Sequence, residues 1–198
     1  KASTEILQEE IIFMFGLSLP LNFNSPYKAT NISDFWRRWH ISLSHFLRDY
    51  LYIPLGGNRR GYGRKTINLM ITMLLGGLWH GAGWNFIIWG GLHGVYLVVC
   101  HNYKYLLNVS IPKSAAWLLT FLSVVFAWVF FRCENLSQAF LMVQSLMGGG
   151  NALGSIYKNP YLLLVLMGIC ALFCTRLSNI QENIGVARGE KNKLSAFW

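Results

Sequence analysis

Residues 74–94, LLGGLWHGAGWNFIIWGGLHG, decide how this chain is read. The stretch is strongly apolar, yet it holds His80, His93 and Asn85 among seven glycines and one alanine. Hydrocarbon has no water to solvate an imidazole or an amide, so polar side chains at membrane depth need partners or a function. On a helix, Gly76 and Gly77 lie about one turn before His80, on its face, and leave space beside the ring. Gly77/Gly81 and Gly90/Gly94 have GxxxG spacing, which lets helix backbones approach closely in lipid. The spacing alone arises by chance in glycine-rich apolar segments. Combined with three polar side chains it is more specific.

The composition agrees with a membrane setting. Of 198 residues, 54% are hydrophobic and 13% charged, against roughly 25% charged in soluble domains. The expected fold is all-α: a polytopic transmembrane helical protein with interfacial amphipathic helices and broken or re-entrant ones. The chain opens on Lys1 without a signal-peptide layout and is expected to be a piece of a longer protein. Its net charge of +9 is gathered into a few short runs. In a membrane protein such runs mark cytoplasmic loops beside anionic lipid, and nucleic acid is not an expected partner. The four cysteines show no CxxC or zinc spacing, and no HExxH or EF-hand pattern occurs, so no metal is expected.

Working outward from residues 74–94, the apolar tract covers 66–100 and is interrupted only at His80–Asn85. Its first half alone is too short to cross a ~30 Å core, and the whole is too long for one straight span. Two crossings or one kinked helix both remain open, with strained backbone near His80 in either case. The charge count favours two crossings. Before the tract, NRRGYGRK carries Arg59, Arg60, Arg64 and Lys65 and is expected to be a cytoplasmic loop. Residues 33–51, SDFWRRWHISLSHFLRDYL, are expected to form one helix lying in the membrane interface, with Ser33 as N-cap. At 100° per residue Phe35, Trp36, Trp39, Leu43, Phe46, Leu47 and Tyr50 share one side. Asp34, Arg37, Arg38, Ser44, His45, Arg48 and Asp49 share the other, with His40 at the border. Beyond a polar loop at 101–113, residues 115–131 and 161–175 read as further spans, with a short helix at 137–147 between them.

A histidine in a cavity can take a proton from a hydroxyl, and burial without a counter-charge keeps it neutral, the form a base needs. His80 is therefore the candidate general base. His93 reads as structural. Asn85 suits a bond to a neighbouring helix better than contact with a substrate. No GxSxG or Ser-His-Asp spacing points to a serine hydrolase.

SDFWRRWHISLSHFLRDYLYIPLGGNRRG, then LLGGLWHGAGWNFIIWGGLHG, then WVFFR, in that order, closely resemble the membrane-bound O-acyltransferase family. The nearest branch is the bacterial alginate O-acetyltransferase type, related to the D-alanyl transfer protein of teichoic acid synthesis. The resemblance runs from about Pro20 to Arg132. Members are usually more than twice this length, so the chain looks like a C-terminal part. The resemblance implies a multi-pass protein of the bacterial cytoplasmic (inner) membrane that moves an acyl group from a thioester to a hydroxyl of an extracellular polysaccharide. It places the family's signature WHG histidine on His80 and its second, RWH histidine on His40, both expected to be catalytic. Trp79, Asn85 and Arg37 are the expected substrate-binding residues. No bound cofactor is implied; acetyl-CoA or an acyl carrier protein would be the donor substrate. Membrane lipid and a periplasmic acetyltransferase are the implied partners.

Two readings from other classes stand beside this one. A transporter or channel would also use broken helices and intramembrane histidines, but would be expected to show two related halves, and none is visible. A non-catalytic scaffold of a polysaccharide-modifying complex would depend on the Arg59–Arg64 surface rather than on the histidines.

Overall fold

The computed structural model describes residues 21–106 and 111–146. All regular structure among them is helical. The expectations for residues 161–175 and for the cysteines at 170 and 174 lie outside the described residues.

A 3-10 turn at Pro26–Lys28 leads into α1 (Ile32–Arg38). The N-cap of α1 is Asn31 rather than Ser33: the Asn31 side chain accepts from the Asp34 N–H at 2.8 Å, while Ser33 is buried. Asp34 also pairs with Arg38 one turn on, at 3.0 Å. The helix then stops. His40 adopts a left-handed conformation (φ 45°) and α2 (Ile41–Leu47) begins beyond it, running into a π-helical turn at Arg48–Tyr52. The single helix expected over 33–51 is therefore two helices and a widened turn.

The break also overturns the expected faces. An arc of 100° per residue cannot be carried through a left-handed residue, and five-residue hydrogen bonding rotates the side chains beyond it. Phe35, Trp36, Leu43 and Leu47 are buried as expected, but Phe46 and Tyr50 are exposed and Ser44 is buried. Two backbone groups lose their helical partners at the break, and the strap Asn22–Asn24 replaces them. Asn24 N–H donates to the Arg38 carbonyl at 2.9 Å, and Ile41 N–H donates to the Asn22 carbonyl at 2.9 Å. The Asn22 side chain accepts from the Ser42 N–H and hydroxyl. A left-handed non-glycine residue costs on the order of 1–3 kcal/mol and persists only where its surroundings hold it; this strap is such a hold.

α3 (Gly61–His80) and α4 (Trp84–Leu106) form an antiparallel hairpin, the two-helix alternative for 66–100. α3 starts five residues earlier than expected and takes Arg64 and Lys65 out of the presumed loop. Its 20 residues rise about 30 Å at 1.5 Å each, which removes the objection that the first half is too short. α4 likewise runs through His101, and Lys65 Nζ lies 3.3 Å from His101 Nδ1 at the open end of the hairpin.

The hairpin closes on glycine. A Cβ at Gly77 would strike the Phe86 carbonyl oxygen and come within 3.2 Å of Gly90 Cα; one at Gly90 would strike the Met73 carbonyl oxygen. Gly94 takes the Met70 sulfur, and Gly76 takes Leu47 from α2. Three small residues, Gly81, Ala82 and Gly83, make the turn, over which the Phe86 ring folds. α5 (Lys113–Arg132) packs on α4, and α6 (Leu136–Leu146) packs on α5 and α4. The core joins Ile32, Phe35 and Trp36 of α1 to Leu69 and Met73 of α3, Trp89 and Leu97 of α4, and Val124 and Phe130 of α5.

Among the described residues one helix, Lys113–Arg132, is long and apolar enough by length and composition to cross a membrane. The glycines and basic residues of α3 and the polar groups of α4 dilute theirs.

Overpacking a close backbone contact costs typically 1–3 kcal/mol. Gly77→Ala or Gly90→Ala should therefore lower the thermal midpoint of the purified protein. Gly91→Ala should not, because its Cβ would meet only Leu74 Cδ2, at 3.5 Å.

Candidate functional site

His80 is the last residue of α3, where the helix ends against the small-residue turn. Its half-buried ring stands edge-on to three aromatic rings: Trp79 at 5.0 Å, Trp89 of α4 at 5.2 Å and Phe131 of α5 at 5.1 Å between centroids. Three helices thus contribute to one wall. The pairing of α3 and α4 at Gly77 and Gly90 brings Trp89 beside His80, and α5 brings Phe131.

His40 reaches the same place from the break between α1 and α2. Its ring lies 6.4 Å from that of Trp79, edge-on, and 6.1 Å from that of Phe23. Trp79 thus touches both histidines, and it is 62% exposed. Residues far apart in the chain are gathered around one indole. The left-handed backbone at His40 redirects the chain at the residue that carries this ring. Arg37 is half-buried on α1, three residues before His40.

Asn85 is buried in the first turn of α4 and donates its amide N–H to the Cys133 carbonyl at 2.9 Å. Cys133 caps α5. The bond therefore joins the start of one helix to the end of another, just behind the His80 turn. His93 is fully buried: its Nδ1 accepts from Trp36 Nε1 at 3.3 Å, and its ring stacks on Phe35 at 6.1 Å and meets Trp89 at 4.9 Å. It therefore couples α1 to α4 beneath the site. Trp89 and Phe131 were not singled out from the sequence, and Trp36 only as part of the apolar face of 33–51. Their signal was present only as aromatic residues inside the FWRRWH, WNFIIWGG and WVFFR runs.

Comparison with known proteins identifies the family. Residues 2–143 match the membrane-bound O-acyltransferase family. The chain belongs to that family. Similar members include the peptidoglycan O-acetyltransferase of Helicobacter pylori, 54% identical over 137 residues, or 68% of this chain and 26% of that protein. The "probable alginate O-acetylase" of Pseudomonas aeruginosa is 48% identical over 137 residues, 69% of this chain and 26% of that protein. The teichoic acid D-alanyltransferase of Bacillus subtilis is 33% identical over 138 residues, 61% of this chain and 34% of that protein. The chain thus spans about a quarter to a third of the length of these membrane-bound O-acyltransferase relatives.

Replacing Asn85 by leucine keeps the volume but leaves the Cys133 carbonyl without its donor. Removing one partner of such a bond costs about 1–3 kcal/mol, so Asn85→Leu should lower the unfolding midpoint of the full-length protein, read by thermal denaturation in detergent.

Proposed function

We propose that this chain carries the acceptor-activating part of a membrane O-acyltransferase, which moves an acetyl or other acyl group from a thioester donor to hydroxyls of an extracellular polysaccharide. The observation that carries the reading is the meeting of His40 and His80 around Trp79, in a family defined by O-acyl transfer. The relatives' names, a peptidoglycan O-acetyltransferase and an alginate O-acetylase among them, support a cell-surface polymer as acceptor.

In this reading neutral His80 accepts the proton of the acceptor hydroxyl as its oxygen attacks the thioester carbonyl. The tetrahedral intermediate collapses with cleavage of the C–S bond. The departing thiolate takes the proton back from the imidazolium, leaving an ester, a thiol and neutral His80. His40 orients the acceptor or the His80 ring through Trp79. Trp79 and Arg37 contact substrate at the exposed edge of the site. Asn85 acts by holding the turn behind His80, with any substrate contact secondary.

The donor is an acyl thioester, acetyl-CoA or an acyl carrier protein. The setting is a multi-pass protein of the bacterial inner membrane with 33–51 near the interface, acting with membrane lipid and a periplasmic acetyltransferase. Supporting the membrane placement are the apolar helix at Lys113–Arg132 and the glycine-closed hairpin.

General acid–base catalysis contributes about 10²–10⁴-fold. His80→Ala in the full-length parent should lower acyl transfer by that factor at equal membrane abundance, and unchanged transfer would overturn the proposal. His40→Ala should cost less, on the order of ten- to a hundredfold, as a misplaced reactant does. Both are read by the acyl content of the surface polysaccharide.

A further inference from the structure

The π-helical turn and the loop after it build a concavity whose lining includes neither His40 nor His80. A cleft of about 500 Å³ is lined by Arg48, Tyr52, Gly56, Asn58, Arg59 and Arg60, among others. Its walls are held by the protein's own bonds. Buried Tyr52 donates its hydroxyl to Asn58 Oδ1 at 2.5 Å. Gly57 N–H donates to the Tyr52 carbonyl at 2.9 Å, and the buried Asn68 amide of α3 donates to the Gly57 carbonyl at 3.2 Å. Burial pushes the Tyr52 phenol up to about 12, so it remains a donor across the working range.

The charges here do not cancel. The nearby carboxylate, Asp49, is engaged by Arg48 through two bonds of 2.7 and 3.1 Å, which hold it below the usual carboxylate range. Arg59 and Arg60 are exposed and form no ion pair among the described residues. Gly56 makes room for one of them. It has φ 112°, and a Cβ there would sit 3.0 Å from Arg60 Cδ and 3.2 Å from its Nε. The Arg60 stem therefore lies across the loop at the cleft wall.

The rim is apolar. Ile53, which lines the cleft, is 53% exposed; Tyr50, in the same π-helical turn as the lining residues Arg48 and Tyr52, packs on Phe46 with ring centroids 4.9 Å apart, and the two are 70% and 50% exposed. An exposed isoleucine lining the same cleft as two arginines without ion pairs among the described residues, on a turn that also carries an exposed aromatic pair, suits a ligand with an anionic head and a hydrocarbon tail. A wholly water-soluble phosphate would gain nothing from the rim.

We propose that this cleft seats the phosphate of an anionic phospholipid, with Arg59 and Arg60 on its oxygens and Phe46, Tyr50 and Ile53 against its acyl chains. The site is separate from the His80 chemistry and stands whether or not that assignment holds.

The test uses the full-length parent in phosphatidylcholine bilayers and needs no turnover. Spin-labelled phosphatidylglycerol and spin-labelled phosphatidylcholine are compared for the fraction immobilised on the protein. Phosphatidylglycerol should be preferred. Arg59→Gln with Arg60→Gln removes both groups placed on the phosphate oxygens and should reduce the preference on the order of tenfold. Arg64→Gln with Lys65→Gln, on α3 outside the cleft, should leave it nearly intact. An unchanged preference in the first variant would overturn the proposal. Equal loss in both variants would also overturn it, since diffuse surface charge then suffices. Displacement of the spin-labelled phosphatidylglycerol by coenzyme A would reassign the cleft to a phosphate of the acyl donor and overturn the lipid reading.

Discussion

The approach of two helix backbones at Gly77 and Gly90 is the contact on which the rest depends. Between helices in lipid there is no hydrophobic driving force, so association rests on close packing and a few polar contacts. Here glycine allows the α3 and α4 backbones to touch, with Met70 and Met73 of α3 meeting Gly94 and Gly90 of α4 along the same seam. A hairpin drawn this tight needs a turn of very small residues. His80 stands at the edge of that turn, and Trp89, on the facing helix, is brought within 5.2 Å of it. The candidate site is a consequence of how closely two glycines meet.

A second constraint is that broken helices must not leave backbone groups stranded. The interruption at His40 would orphan the Arg38 carbonyl and the Ile41 N–H, and the Asn22–Asn24 strap takes both. The start of α1 is satisfied by Asn31, and the joint between α4 and α5 by Asn85. Short polar side chains thus stand where helical hydrogen bonding stops. This allows the unfavourable left-handed conformation of His40 to persist. Backbone strain of this kind gathers at functional sites, where it aims a side chain that regular structure could not. At His40 it turns the chain at the imidazole that meets Trp79.

His93 illustrates a polar group enclosed between helices, with Nδ1 bonded and Nε2 left without a partner among the described residues. It sits in the same helix as the site and is fully enclosed, and its bond from Trp36 joins α1 to α4. His80 differs in being half-buried at a helix end, beside the exposed Trp79. Two histidines in one apolar stretch therefore have different surroundings, and exposure separates them more clearly than residue type.

Much of this was legible in the sequence because it depends on local chemistry. An apolar, helix-forming composition, glycines at the α3–α4 seam and the interruption after His80 follow from residue type and spacing, although Gly81 proved to belong to the turn and not to the seam; the WHG and RWH motifs stood out only through family resemblance. The course of residues 33–51 was not legible. A periodicity argument assumes constant helical geometry, and the break at His40 is stabilised by a strap well before it in the chain. Helix boundaries at Gly61 and Leu106 were missed for a related reason, since glycines and charges that usually mark loops are carried here in helices packed against each other. Only tertiary structure could decide that Trp89 and Phe131 meet the His80 imidazole and that His40 meets Trp79, because such proximity depends on how the helices pack. Local sequence sets which residues favour a helix or a turn, whereas contacts between distant rings arise only once backbone approach and side-chain volume are satisfied together.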